Sequence, residues 1–348
     1  MHLTIVVKPL DGAQSRSERT GLQCEPALAE HIGTDCPPST DLLRHDKAAM
    51  SPEPTSSRRK TTAGTATRSF GAGNRENHDA SAFYSRNLAN AVLSEETDVG
   101  TNEVVDRIYV HSAESMPELA DNSVALMMTS PPYHVGKEYD SELSFDDYLG
   151  LLRKVFSETY RVLEPGGRAV VNVANLGRRP YISLSSRVVL MMEDIGFLMR
   201  GEVIWRKGKA AGGSTAWGSW KSASNPIFRD VHEYLLCFSK GRFQRVRKGE
   251  STIERDEFLE ATMSVWDIAP ESATRVGHPA PFPVALPQRV IQLYTYADDL
   301  VLDPFIGSGS TAVAAVQAGR HYVGYETSEA YAVAAQERVA STTKENNK

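Results

Sequence analysis

Thr129-Ser130-Pro131-Pro132-Tyr133 follows the apolar run Val124-Ala125-Leu126-Met127-Met128. A short apolar run ended by a polar pair and two prolines predicts a buried strand whose chain then leaves the sheet, because proline cannot donate to a ladder. In open α/β sheets, ligands sit in the crevice outside the carboxyl ends of the strands. At that exit Ser130 brings a hydroxyl, Pro131 and Pro132 a stiff backbone with carbonyls fixed in direction, and Tyr133 a flat ring with a polar tip. The set suits a planar base bearing an exocyclic amino group, whose N–H bonds the oxygens accept while the aromatic ring stacks on its face. A plain strand-to-turn junction uses the same residue types, so the rest of the chain has to decide between the two.

A second group lies near the end of the chain. Leu300-Val301-Leu302 reads as a strand and Asp303-Pro304-Phe305-Ile306-Gly307-Ser308-Gly309-Ser310-Thr311 as a glycine-rich loop opening a helix over 312–318, which Gly319 ends. A strand over 321–325 follows, finishing at Glu326, and a helix over 329–339 comes after it. This is a nucleotide-binding layout: glycines let the backbone approach the ligand, and an acid at the end of the next strand accepts from ribose hydroxyls. Gly-Ser-Gly is common by itself; its weight comes from strand, loop, helix, strand and acid in the required order. The loop lacks the G-x-G-x-x-G spacing, which argues against a dinucleotide-dependent oxidoreductase.

The elements that must position these groups alternate. Residues 108–110 are β-prone, 117–122 read as a loop, and 146–163 carry apolar residues at helical spacing up to Glu164-Pro165-Gly166-Gly167. Strand 169–173, helix 184–195 closed by Gly196, strand 201–205, strand 231–239 and helix 287–296 complete a βαβ pattern. The expected fold is α/β: one domain over about 81–342 with a mostly parallel central sheet and helices on both faces. Residues 1–80 are rich in Ser, Thr, Arg, Gly, Pro and Glu without a sustained period, and are expected to be a disordered tail, with a short helix over 81–91 leading into the domain. Residues 343–348 read as a C-terminal tail.

The chain of 348 residues, 41% hydrophobic and 24% charged, has the make-up of a soluble globular protein. It shows no apolar run long enough for a membrane span and a poor signal peptide, and Cys24, Cys36 and Cys237 have neither disulfide-framework nor metal-ligand spacing. A cytoplasmic protein without a metal is expected. A net charge of −6 argues against a uniformly basic nucleic-acid binder. Between residues 200 and 248, however, 11 Lys/Arg face 3 acids, interleaved with Trp217 and Trp220. Cations with aromatic residues among them suit stacking on a polyanion, although a solvated basic face has the same composition.

Together TSPPY at 129–133, HPAPFPVALPQRVIQLYT at 278–295 and DPFIGSGST at 303–311 resemble, in that order, the blocks of the S-adenosylmethionine-dependent DNA amino-methyltransferases of the N4-cytosine/N6-adenine family. The resemblance covers about 108–339, in the β-type motif order, and implies the Rossmann-like methyltransferase fold with S-adenosyl-L-methionine as cofactor. It implies that Ser130, Pro131, Pro132 and Tyr133 hold the amino group and base. Asp303, Pro304, Phe305, Gly307, Ser308, Gly309, Ser310 and Thr311 would line the cofactor, Glu326 would hold its ribose, and His278, Pro279 and Phe282 would close over its methionine end. Where the family often has Gly-Asp, with the Asp meeting the cofactor's adenine ring, this chain has His111-Ser112, and Ser112 takes that place.

The implied partner is double-stranded DNA, with a cognate restriction endonuclease and a monomer or homodimer left open. Target recognition is expected at about 207–228 and 241–276. Lys207, Lys209, Arg242 and Arg245 would meet phosphates there, and Trp217, Trp220, Lys221 and Asn225 would read bases or fill the gap left by a flipped nucleotide. A serine at the head of the motif is associated in the family with cytosine N4 and an aspartate with adenine N6. Cytosine is therefore the leading reading, adenine the second, and a DNA-binding module without catalysis the third. No cysteine lies near the motif, which argues against carbon-5 methylation through a thiolate adduct.

Overall fold

The computed structural model describes residues 93–132, 144–175, 180–208, 218–271 and 282–346, all within one unit, Ala80–Lys348. The N-terminal tail, the helix expected over 81–91, Tyr133, Lys209, Trp217, His278 and Pro279 lie outside the described residues.

In chain order the elements are β1 (Arg107–Tyr109), β2 (Val124–Thr129), α1 (Phe145–Val162), β3 (Leu163–Val173), α2 (Leu184–Ile195), β4 (Phe197–Arg206), β5 (His232–Lys240), α3 (Arg255–Ala261), β6 (Val265–Asp267), α4 (Ala285–Tyr294), β7 (Leu300–Asp303), α5 (Ser310–Gln317), β8 (His321–Tyr325) and α6 (Glu329–Asn346). They build one sheet in the order β1-β8-β7-β2-β3-β5-β4-β6. Every pairing is parallel except those of β5, which runs antiparallel to both β3 and β4. The mostly parallel sheet is thus as expected. The antiparallel direction of β5 is not something a run of apolar residues can encode.

β2 sits at the centre, and all six of its residues are buried. A parallel strand covered on both faces reads as continuous apolar sequence rather than as alternation. Met127 joins one core with Leu152, Phe156 and Val188 from α1 and α2, whereas Leu126 and Met128 join the other with Val290, Ala312 and Ala335 from α4, α5 and α6. Helices therefore cover both faces, and each fully buried Leu or Met contributes about 1.5–3 kcal/mol.

α1 forms where the apolar period is strongest. Ser144 Oγ caps it by accepting from Asp147 N at 3.1 Å, Asp146 and Asp147 complement its dipole, and Tyr148, Leu152, Val155 and Phe156 face the core. The chain then enters β3 directly instead of turning at Glu164–Gly167. The pairing with β2 skips from Val124–Leu163 to Leu126–Arg168, so the Pro-Gly-Gly residues make a bulge inside the strand. Gly166 has a φ of 80°, and a Cβ there would lie 2.1 Å from Gln244 O, so the bulge requires glycine. At the chain's end α6 runs on to Asn346, through residues expected to be a tail.

Candidate active site

β2 delivers Ser130 to the carboxyl edge of the sheet, where a cavity of about 800 Å³ opens. Ser130, Pro131 and Pro132 form one wall, Pro304 to Ser308 after β7 the next, and Glu326 after β8 with Ser112 after β1 the far side. The walls follow the strand order β2-β7-β8-β1, so residues distant in sequence converge because their strands end side by side. Phe282 and Ser310 also line the cavity, and Ser310 Oγ donates to Phe282 O at 2.9 Å.

Glu326 is held by backbone. Gly307 N donates to its Oε2 at 3.0 Å and Ser328 N to its Oε1 at 2.9 Å, which aims the remaining lone pairs into the cavity. The glycine loop allows this approach: Gly309 caps α5 with a φ of 81°, and a Cβ on it would lie 2.9 Å from the Cβ of Ala335. A nucleoside diol fits such a fixed carboxylate in the cavity wall beside Gly307. Glu326→Ala should weaken S-adenosylmethionine binding by about 1.5–3 kcal/mol, measured by calorimetry on the folded protein. Unchanged affinity would remove the carboxylate from the cofactor's ligands.

Asp303, expected to line the cofactor, lies behind the wall with Gly309 and Thr311, and none of the three lines the cavity. Its carboxylate is buried and already occupied, accepting from Thr129 Oγ1 at 2.6 Å, Thr311 Oγ1 at 2.6 Å and Phe305 N at 3.1 Å. The correction has a simple cause: hydroxyls on β2 and α5 and an amide of the loop fill three of its acceptor sites and hold it behind the wall. Asp303 ties the strand that carries Ser130 to the loop that forms the next wall of the cavity.

Burial pushes the Asp303 carboxyl up to about 6, against the pull of its three donors. A folded pKa above the unfolded one means that the native state binds more protons, so stability falls as pH rises from the unfolded pKa through about 6. Asp303→Asn does not ionise. Denaturant unfolding should therefore show wild type losing about 1–2 kcal/mol relative to this variant between about pH 5 and 7.5. Parallel curves would refute the assignment.

Ser112 lines the cavity, but its Oγ donates to Glu114 Oε2 at 3.1 Å, and Lys154 Nζ meets Glu114 Oε1 at 2.8 Å. The hydrogen bond from Lys154 holds the Glu114 carboxyl below the usual range. Beside it His111 Nε2 contacts Glu118 Oε1 at 2.9 Å, and Tyr325 OH donates to Glu118 Oε2 at 3.0 Å. Sequence reasoning missed Glu114, Glu118, Lys154 and Tyr325, as well as Asn172 and Glu233. For Asn172 and Glu233 the available signal was a polar residue inside a strand otherwise fit for burial.

Of the residues expected at DNA, Lys207 directly follows β4, and Lys207 N donates to Val231 O at 3.0 Å, closing the base of the long loop at the same edge as Ser130. Beyond it, residues 218–226 are pinned by a Gly218–Pro226 bridge and by Ser219 N to Asn225 O at 2.9 Å. They present Trp220, 67% exposed, with the Lys221 ammonium 5.7 Å from its ring centre. Arg242 and Arg245 do not join them. They follow the far end of β5, level with the start of β3, and so lie at the opposite edge of the sheet. Arg242 Nη1 donates to Glu96 O at 3.2 Å, and Arg245 is enclosed by Glu164 and Asp299. The recognition role expected for them, and for 241–247, is corrected accordingly.

An open α/β sheet with a fixed acid and glycine loop at one end of a cavity, and a hydroxyl beside a diproline at the other, defines a Rossmann-like transferase using a nucleoside cofactor. The DNA methylase family pattern of N6/N4 methyltransferases matches residues 124–337. The chain is 30% identical to the type II methyltransferase M.MthZI of Methanothermobacter thermautotrophicus, over 69% of this chain and 78% of that one. It is 29% identical to M.ScaI of Streptomyces caespitosus, over 66% and 80%. Among solved structures, the Thermus thermophilus protein TTHA0409 complexed with S-adenosyl-L-methionine has a TM-score of 0.56 and 29% identity, covering 69% of this chain and 95% of that one. PvuII DNA methyltransferase (cytosine-N4-specific), at 19% identity over 71% and 95%, shares the fold with a TM-score of 0.53. The chain belongs to the S-adenosylmethionine-dependent DNA amino-methyltransferases of the N4-cytosine/N6-adenine family.

Proposed function

We propose that this chain is a type II methyltransferase that methylates the exocyclic N4 of cytosine in duplex DNA, acting on a base turned out of the helix. The observation that carries this is the shared cavity: Ser130, Pro131 and Pro132 open onto the same space as Gly307, Ser308 and Glu326. The relatives' names support the type II reading, the Thermus complex supports the cofactor, and the serine heading the motif supports cytosine.

When bound, S-adenosylmethionine supplies an electrophilic methyl group on a sulfonium. The chain's own task is to place and prepare the acceptor. An aromatic amine is a weak nucleophile because its lone pair is conjugated with the ring. Accepting its N–H bonds at Ser130 Oγ and at the Pro131 carbonyl draws the nitrogen toward tetrahedral geometry and frees that pair. Tyr133 stacks on the extruded base in this reading. Pro131 is buried and Pro132 partly buried, so the acceptor wall is stiff and partly shielded from water.

Trp220 and Lys221, with Asn225, are the exposed candidates for contact with the duplex. The test is incubation with cofactor and mixed-sequence duplex DNA, followed by nucleoside mass spectrometry. N4-methylcytosine is expected; N6-methyladenine would assign the other base, and no methylated nucleoside would refute the activity.

A further inference from the structure

Below Ser130 the sheet holds polar groups that an apolar core does not require. Asn172 on β3 and Glu233 on β5 are both buried. Asn172 Nδ2 lies 2.6 Å from Glu233 Oε2 and 3.4 Å from Ser130 Oγ. The other carboxylate oxygen of Glu233 meets the Lys207 ammonium at the end of β4. A line of side chains therefore runs from the sheet edge through two strands to the hydroxyl in the pocket wall.

The chemistry of the groups fixes its polarity. A carboxylate only accepts, so the Asn172 atom facing Glu233 has to be the amide nitrogen, and the same nitrogen then faces Ser130. Ser130 Oγ accepts from it, which turns the hydroxyl proton away from Asn172. A hydroxyl can both accept and donate, which matches an amino N–H beside a ring nitrogen, the edge that cytosine and adenine both present. Replacing a buried ionic group by apolar residues is often neutral or stabilising, so stability alone does not account for Glu233 at this position.

We propose that Glu233 is a positioning residue for the target base, acting through Asn172 to set the direction of the Ser130 hydroxyl, with Lys207 as its counter-ion rather than a phosphate ligand. This rests on the reading of Ser130 as the group that holds the target amine. The test compares two double variants. Glu233→Leu with Lys207→Met removes the carboxylate without stranding a cation. Glu233→Gln with Lys207→Met keeps an oxygen that accepts from Asn172.

Both variants should bind S-adenosylmethionine in calorimetry as the wild type does, with little change in KM for duplex DNA. The leucine variant should lose about 100-fold in kcat, the scale of a misplaced reacting group, and the glutamine variant should recover most of it. An unchanged kcat in the leucine variant would overturn the proposal. So would an equal fall in both, which would trace the effect to charge. If the leucine variant does not fold, Glu233→Asp, which withdraws the oxygen but keeps the charge, should show the same loss of kcat with cofactor binding retained; full activity there overturns the proposal. A wild type that binds cofactor but methylates no DNA would instead remove the underlying reading, and the proposal with it.

Discussion

Ser130→Ala is expected to lower the turnover of methyl transfer about 100- to 1000-fold, the cost of removing one group that is aimed at the reacting atom. Its cofactor affinity should stay at the wild-type value. The separation follows from geometry. Ser130 stands at the β2 wall of the cavity, whereas Glu326 and the Gly307 amide that grips it stand at the end of β8 and in the loop after β7. Alanine fits wherever serine does, and Thr129, whose hydroxyl anchors Asp303 at 2.6 Å, is untouched. Radiolabelled methyl transfer to duplex DNA, paired with calorimetry of cofactor binding, gives the two readouts. A turnover within a few-fold of wild type would refute the role given to the hydroxyl.

Arg245→Met should cost about 3–5 kcal/mol of stability, the usual result of stripping one partner from a buried ion pair. The Arg245 side chain is 8% exposed, and those of Glu164 and Asp299 are 0% and 4%. Its guanidinium grips Asp299 through Nη1 at 2.6 Å and Nη2 at 3.0 Å, and Nε bonds to Glu164. Those bonds outweigh burial and hold Arg245 above the ordinary arginine range, while burial pushes the Glu164 carboxyl up. Without the guanidinium, Glu164 keeps the Arg247 guanidinium at 3.6 Å and Asp299 the Tyr296 amide at 2.6 Å, but the cation that lies between the two buried carboxylates is gone. For a domain of this size the melting temperature should fall by roughly 10 °C. The slope of log DNA affinity against log salt should not change, whereas a lost phosphate contact would make it shallower by about 0.9. Full stability with a shallower slope would return Arg245 to the DNA interface.

The two outcomes mark where the sequence was legible. Helix α1 and the strands β7 and β8 were readable because apolar spacing, a following glycine or proline and a polar stop coincide within a few residues. The convergence of Ser130 with Gly307 and Glu326 was readable because strand–loop–helix order dictates which edge of a parallel sheet each motif reaches. Arg245 was misread because a local count of cations ignores the acids that neutralise them, and Glu164 and Asp299 come from distant parts of the chain. Asp303 was misread for the same reason: the hydroxyl of Thr129, on another strand, claims the carboxylate. Pro-Gly-Gly at 165–167 punctuates the chain as expected, but the residues bulge within a strand because β2 continues to pair on either side of them.

The reversed strand β5 has a consequence for the segment that precedes it. Because β4 and β5 are antiparallel neighbours, with Arg206 opposite His232, the long segment between them leaves and re-enters the sheet at adjacent points. Its ends are clasped by the amide of Lys207 and the carbonyl of Val231. Lengthening such a segment costs only about 0.6 kcal/mol per doubling and shifts no strand register. Insertions and deletions there leave the ends of β4 and β5 where they are. A library varied in length and composition over 212–226 is therefore the direct test of the proposal that this segment chooses the DNA site.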